Sequence, residues 1–376
     1  MNRAIEELIP DYIRGLPDYV PGRPVEEVER EVKARAIKLA SNENPLGPSP
    51  LAVEAARRAL GSSNWYPDGG TKLLREALAA RHGVKPEEIF VGLGSSEIID
   101  LAARATLRSG LQGVTSEGTF ALFPIAIRAS GAQLALAPLR ESTFDLCAMS
   151  ELFRPECRIL YLANPNNPTG TVFGSEALER FLARVPDEVL VVLDEAYCDY
   201  AERADYPDSL KLFRERQNLL ILRTFSKVHG LAGLRIGYGI GHAGLVRELN
   251  KLRTPFNVSN VAQAAALAAL DDKEHVAGSV EMNRAERRKL TEGLAKLGLR
   301  PAPSETNFVF VELGTDASRI CQELLQKGVI IRPLGWMGFP EAVRITVGLP
   351  EENDRCLAAL GEVLAAIPSS RELARQ

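Results

Sequence analysis

The chain has 376 residues, enough to bury a sizeable core and to divide into two domains. Hydrophobic residues make up 45% and charged residues 25%, the balance of an ordinary water-soluble globular protein, so a fibrous or disordered chain is excluded. The formal net charge is -4 with no basic block, which leaves no electrostatic footprint for nucleic acid; a small anion would need a local cluster of positive groups.

Residues 1–30 read as an N-terminal arm. A short helical piece precedes Pro17, Pro21 and Pro24, which break regular structure. VEEVEREVKARA (25–36) has the pattern of a charged, exposed helix, and IKLASNENPLGP then enters a loop rich in Asn, Pro and Gly. From about residue 50, helical stretches such as PLAVEAARRALG and TKLLREALAARHG alternate with short apolar runs. The runs lie at 89–94, 113–117, 132–139, 157–165, 188–197 and 218–226. Nearly unbroken apolar runs alternating with helices predict an α/β fold, a mostly parallel sheet with both faces covered, over a large domain of residues 31–255. Beyond 255 the texture changes. VAQAAALAALDD and 274–298 read as helices, NFVFVEL, VIIRPL and AVRITVG as strands, and NDRCLAALGEVLAAI as a closing helix. This predicts a smaller α+β domain over 256–376, with the arm packed on it.

The five cysteines, Cys147, Cys157, Cys198, Cys321 and Cys356, are odd in number and scattered. That favours free thiols in a reducing cytosol over a disulfide framework, and no bound metal is expected. The first 22 residues lack the apolar segment of a signal peptide, and no apolar run is long enough to span a membrane. A cytoplasmic chain with neither membrane nor nucleic-acid partner is expected.

Four segments carry chemistry. In TFSKVHGLAGLRIGY, Lys227 follows directly on an apolar strand, where α/β folds place functional groups; a neutral lysine amine can form a Schiff base with a carbonyl. Ser226 offers a hydroxyl to an anion, and Arg235, eight residues on, can reach the same anion. DEAY ends the preceding strand. Asp194 there can pair with a protonated pyridine nitrogen, and Tyr197 can donate to a ring oxygen; taken alone, the same residues would be a helix cap. In NPNNPTG (164–170), a tight turn at a strand end, Asn167 can donate its amide to a ring oxygen. GLGSSEII sets Ser95 and Ser96 at a helix N-terminus, a ready anion site. Its third glycine position is Glu97, which favours a single phosphate over a dinucleotide and argues against a nicotinamide-dependent oxidoreductase. Phe120 could stack on a planar ring or simply belong to the core. Tyr66 stands in the turn-rich WYPDGG loop, where a tyrosine needs a reason.

GSSE, NPNNPTG, DEAY and SKVHGLAGLR, in that order, resemble the fold-type I aminotransferases over nearly the whole chain. The resemblance is closest to the histidinol-phosphate aminotransferases. LPDYVPGRPVEEV, KLASNENPLGPSP, WYPDGG, RTPFNVSNVAQAAALAAL and GVIIRPLGWMGFPEAVRITVGLPEEN carry it. It implies pyridoxal phosphate bound to Lys227, which then acts as general base and acid. It implies Asp194 on the pyridinium nitrogen, Tyr197 and Asn167 on the ring oxygen, and Phe120 on the ring face. Ser95, Ser96, Ser226 and Arg235 would hold the phosphate, with Tyr66 reaching the phosphate of the neighbouring subunit of a homodimer. Arg344 would bind the carboxylate of glutamate or 2-oxoglutarate, or the phosphate of histidinol phosphate, with Arg332, Tyr19, Asn42, Tyr66 and Asn167 also on the substrate side. Ser96 and Phe120 depart from the acidic residue and the tyrosine common at their positions, and Thr306 stands where small residues are common. The expected activity is transamination between histidinol phosphate and 2-oxoglutarate. An aromatic amino-acid aminotransferase, a decarboxylase of a phosphorylated amino acid and a non-catalytic relative are the alternatives.

Overall fold

The computed structural model describes residues 7–17 and 23–366. Its strands, in chain order, are β1 (Ile37–Leu39), β2 (Ile89–Gly92), β3 (Gln112–Ser116), β4 (Gln133–Ala137), β5 (Leu139–Arg140), β6 (Thr143–Phe144) and β7 (Cys157–Ala163). They continue with β8 (Leu190–Asp194), β9 (Leu219–Thr224), β10 (Gly237–Gly241), β11 (Arg300–Pro301), β12 (Phe308–Glu312), β13 (Val329–Leu334) and β14 (Phe339–Thr346). Seven of them form one sheet in the order β2-β10-β9-β8-β7-β3-β4, with β10 antiparallel to both neighbours and the pairs from β9 to β4 all parallel. Valine, leucine and isoleucine fill β8 and β9 because helices cover both faces. Every residue of β8 is buried, so a run without polar alternation is the stable one there.

β10 has no counterpart among the expected strands. Gly237, Gly239 and Gly241 give its segment poor strand propensity. Gly237 is needed because a side chain there would collide with the backbone alongside. A Cβ on Gly237 would come within 2.7 Å of the Ser95 backbone nitrogen. The missing side chains let the helix Gly94–Thr106 approach the sheet.

The second sheet has the order β1-β13-β14-β12-β11. β1 pairs in parallel with β13, so residues 37–39 join the small sheet although the sequence reading put them in the large domain. Ile37 and Leu39 bury themselves in the small-domain core. The helix Asn260–Asp271 differs in the opposite direction, for its Ala262, Ala265, Ala266 and Ala269 belong to the core of the large sheet. Those alanines allow close packing against the helix Pro50–Leu60, capped by Ser49 with Pro50 in its first turn. The boundary drawn at 255 therefore precedes the helix that closes the large domain. The next helix, Lys273–Lys296, crosses over. Asp272 caps it, and Leu290 and Leu294 enter the small-domain core. Among the described residues no helix is long and apolar enough to cross a membrane.

Candidate active site

The parallel strands β7, β8 and β9 end at one edge of the large sheet, beside the small one. Twelve of the expected residues meet there around one cavity of about 540 Å³: Asn42, Ser95, Ser96, Phe120, Asn167, Asp194, Tyr197, Ser226, Lys227, Arg235, Arg332 and Arg344. Successive strand ends bring Asn167, Asp194 and Lys227 together although 60 positions separate the first from the last. Tyr66 does not line the cavity. It is 83% exposed and stacks on Phe256 at 4.7 Å. Tyr19 lies outside the described residues.

Asp194 and Glu195 show how the end of a strand sorts two adjacent carboxylates. Glu195 is buried away from the cavity, accepting from Arg223 Nη2 at 2.8 Å and from Ser209 Oγ at 2.9 Å. Asp194 faces the cavity, and its Oδ1 accepts from the Ala196 amide at 3.0 Å. The carboxyl thus braces the turn after β8, but it caps no helix: the short helical turn Cys198–Tyr200 that follows is preceded by Tyr197. Burial pushes the Asp194 carboxyl up to about 7; the Ala196 N–H and the nearby Lys227 pull the other way. An acid held this high at the base of a cavity is stabilised in its charged form by a cationic partner.

Lys227 stands two residues after Phe225, which is buried in the large-domain core, and its Nζ donates to the Asn42 carbonyl oxygen at 3.1 Å. The same nitrogen lies 5.4 Å from the centre of the Tyr197 ring. Asn42 has a left-handed backbone, φ 56°, and its side chain is engaged within the protein. Its Nδ2 donates to the Tyr197 hydroxyl at 2.9 Å, and its Oδ1 accepts from Thr346 Oγ1 at 3.2 Å.

Across the cavity, the N-terminal turn of the helix Gly94–Thr106 presents Ser95 and Ser96. Backbone N–H groups in a first turn have no acceptor within their own helix, and the helix dipole adds positive potential. The Arg235 guanidinium packs over Gly94, with Nη2 3.0 Å from where a Cβ would sit. These groups form a cradle for a phosphate. The pyridoxal phosphate implied by the resemblance fits this donor set: an amine for its carbonyl, a buried acid for its ring nitrogen and a cradle for its phosphate.

The small-domain wall of the cavity is built by register. Arg332 on β13 and Arg344 on β14 are direct cross-strand partners, and both reach the cavity. Arg344 Nη1 donates to Asn167 Oδ1 at 2.5 Å and Nη2 to the Ala40 carbonyl at 2.8 Å, and its guanidinium lies over the Phe308 ring. The Arg332 guanidinium lies over Trp336 at 5.1 Å. Sequence reasoning missed Trp336 and Met337 in the wall, and Asn307 behind it. The position of Thr306 now has a reason. Its hydroxyl accepts from the Phe308 amide at 3.2 Å, and its carbonyl accepts from Asn283 and Arg287, which shapes the turn into β12.

A lysine amine, a buried carboxyl and an anion cradle at the carboxyl ends of a parallel sheet define a transferase site of the pyridoxal-phosphate type. Residues 34–360 match the family model for aminotransferases of class I and II. Histidinol-phosphate aminotransferase 2 of Pseudomonas aeruginosa is 49% identical over 94% of this chain and 96% of its own length. The histidinol-phosphate aminotransferase of Anaeromyxobacter sp. is 47% identical over 96% and 100%. Among solved structures, the histidinol-phosphate aminotransferase of Sinorhizobium meliloti in complex with pyridoxal phosphate superposes with a TM-score of 0.88 at 33% identity, covering 96% of this chain and 98% of that one. The chain belongs to the class I and II aminotransferases, and within them to the histidinol-phosphate aminotransferase family.

Proposed function

We propose that this chain transfers the amino group of L-histidinol phosphate to 2-oxoglutarate, giving imidazole-acetol phosphate and L-glutamate, as a cytoplasmic enzyme of histidine biosynthesis. The observation that carries this reading is the arginine pair, Arg332 opposite Arg344, in the cavity that contains Lys227. Planar guanidinium forks set side by side on a cavity wall suit a phosphate or a carboxylate. Each of the two proposed substrates brings such a group. The names of the similar proteins point the same way.

Bound pyridoxal phosphate supplies a carbonyl for amines and a ring that takes up electron density. The chain does the rest. Ser95, Ser96, Ser226 and Arg235 hold the phosphate, and Phe120 covers a ring face. Asp194, ionised, keeps a proton on the ring nitrogen; Tyr197 and Asn167 serve the ring oxygen. Lys227 carries the proton to and from the substrate carbon, and Arg344 and Arg332 orient the substrate's anionic end.

The aromatic amino-acid reading draws its support from Leu122, Ile125, Trp336 and Met337, which line the same cavity. Comparing kcat/KM for L-histidinol phosphate, phenylalanine and tyrosine with 2-oxoglutarate separates the two. A preference for the phosphate ester beyond about a hundredfold is expected, because the guanidinium forks offer charge-assisted hydrogen bonds that only an anionic group returns. Arg344→Gln should erase most of that preference. Equal efficiency on phenylalanine would overturn the histidinol-phosphate assignment.

The exposed Tyr66–Phe256 stack supports a homodimer in which Tyr66 reaches the neighbouring subunit's phosphate. Sedimentation should give a dimer. Tyr66→Phe should weaken pyridoxal-phosphate binding about tenfold, the worth of a hydrogen bond to a charged group. A monomer with full affinity would refute the shared site.

A further inference from the structure

Asn42 is the point where the small sheet meets the lysine. Its carbonyl oxygen accepts from Lys227 Nζ at 3.1 Å and from Asn307 Nδ2 at 3.0 Å. Its N–H donates to Thr346 Oγ1 at 2.9 Å, and the same hydroxyl donates to Asn42 Oδ1 at 3.2 Å. Thr346 ends β14 and Asn307 precedes β12, whereas Lys227 follows β9 of the large sheet. Asn42 occupies the left-handed region, which side-chain-bearing residues seldom adopt, and asparagine tolerates it better than most. The surroundings therefore impose this conformation.

The chemistry of its contacts fixes how the Asn307 amide lies. Its nitrogen faces two carbonyl oxygens, of Asn42 at 3.0 Å and of Glu43 at 3.3 Å. Turned over, the amide would set oxygen against oxygen. Asn307 is 2% exposed, so water does not substitute for these contacts. Neither Asn307 nor Thr346 lines the cavity, so neither reaches the reacting atoms.

We propose that Asn307 is a positioning residue for Lys227. Together with Thr346 it aims the Asn42 carbonyl so that this oxygen receives the lysine amine whenever the amine is not bonded to the cofactor. The docked amine stays beside the Tyr197 ring, within the cavity, instead of swinging into solvent. The small sheet thereby sets where the proton carrier of the large domain rests.

This inference rests on the aminotransferase reading, and two forms of the cofactor test it. Pyridoxal phosphate consumes the amine on binding; pyridoxamine phosphate leaves it free. Removing the Asn307 donor should leave binding of pyridoxamine phosphate nearly unchanged, since the free protein and that complex both use the docking contact, and should tighten binding of pyridoxal phosphate, which gives the contact up. Dissociation constants of both forms are measured by calorimetry for wild type, Asn307→Leu and Asn307→Ala. A ratio shifted by about fivefold or more is expected, the worth of one modest hydrogen bond. A fall in kcat with KM nearly constant should accompany it. If the leucine variant does not fold, the alanine variant, which adds no bulk, carries the comparison. An equal change in both constants, or no change in either, overturns the inference alone. A wild-type protein that binds neither form overturns the aminotransferase reading and this inference with it.

Discussion

Lys227→Ala should abolish turnover, by at least about 10³-fold, while leaving the fold intact. Two functions are lost at once: the covalent hold on the cofactor carbonyl and the proton carrier beside the substrate carbon. The fold survives because little depends on this side chain. It makes one hydrogen bond, to the Asn42 carbonyl, and the neighbouring Phe225, wholly buried, anchors the loop without it. Its positive charge shares the cavity with Arg235, Arg332 and Arg344 but also favours the charged form of Asp194, so the two effects of its removal oppose each other and the net change in stability is small. Lys227→Arg should be as inactive, since a guanidinium is always protonated and cannot act as an amine nucleophile. Single-turnover kinetics, the visible absorbance of the cofactor-loaded protein and a thermal melt together make the measurement. An alanine variant with a few per cent of wild-type turnover and an unchanged absorbance band would remove Lys227 from the mechanism.

Asp194→Asn is the second large effect, and its pH dependence is the sharper test. The asparagine keeps the shape and removes the charge that holds a proton on the ring nitrogen, so kcat should fall by about 10² to 10³. In the unliganded protein the carboxyl is raised to about 7 by burial, whereas in the unfolded chain it titrates at about 4. Between those values the folded state binds a proton that the unfolded state has lost, so the unfolded state binds fewer. Stability of the unliganded protein therefore falls as pH rises through the window from about 4 to about 7, and above it the full penalty of a buried anion persists. A cationic ring nitrogen beside Asp194 relieves that penalty. The rise in melting temperature on adding pyridoxal phosphate should grow from about pH 5.5 to about pH 8.5 in wild type and stay flatter in Asp194→Asn. The unliganded variant should also melt higher than wild type at the alkaline end. Parallel pH profiles for the two proteins would mean that Asp194 does not meet a cation.

The sequence by itself determined the alternation of helices with apolar strands, and with it that β3, β7, β8 and β9 run parallel; their order in the sheet came from the structure. Those features are local. Burial on both faces demands unbroken Val, Ile and Leu, and turns demand Gly, Pro and Asn. It also determined the members of the site on the large sheet, because functional residues of such sheets follow directly on strands. Lys227, Asp194, Asn167 and the Ser95–Ser96 turn each stand at that kind of junction.

Only the tertiary structure decided the rest. Glycine-rich β10 became a strand because the helix Gly94–Thr106 needs room beside it, a requirement that strand propensity does not carry. β1 went to the small sheet and the alanine helix to the large core, since packing surfaces, not position along the chain, assign an element to a core. The facing of Arg332 with Arg344 is a matter of register, and a slip of one residue would have turned one of them away. The Asn42–Asn307 contact spans 265 positions and leaves no periodic trace. A hydrogen bond between distant loops needs only two compatible groups and the right distance. The distance belongs to the fold.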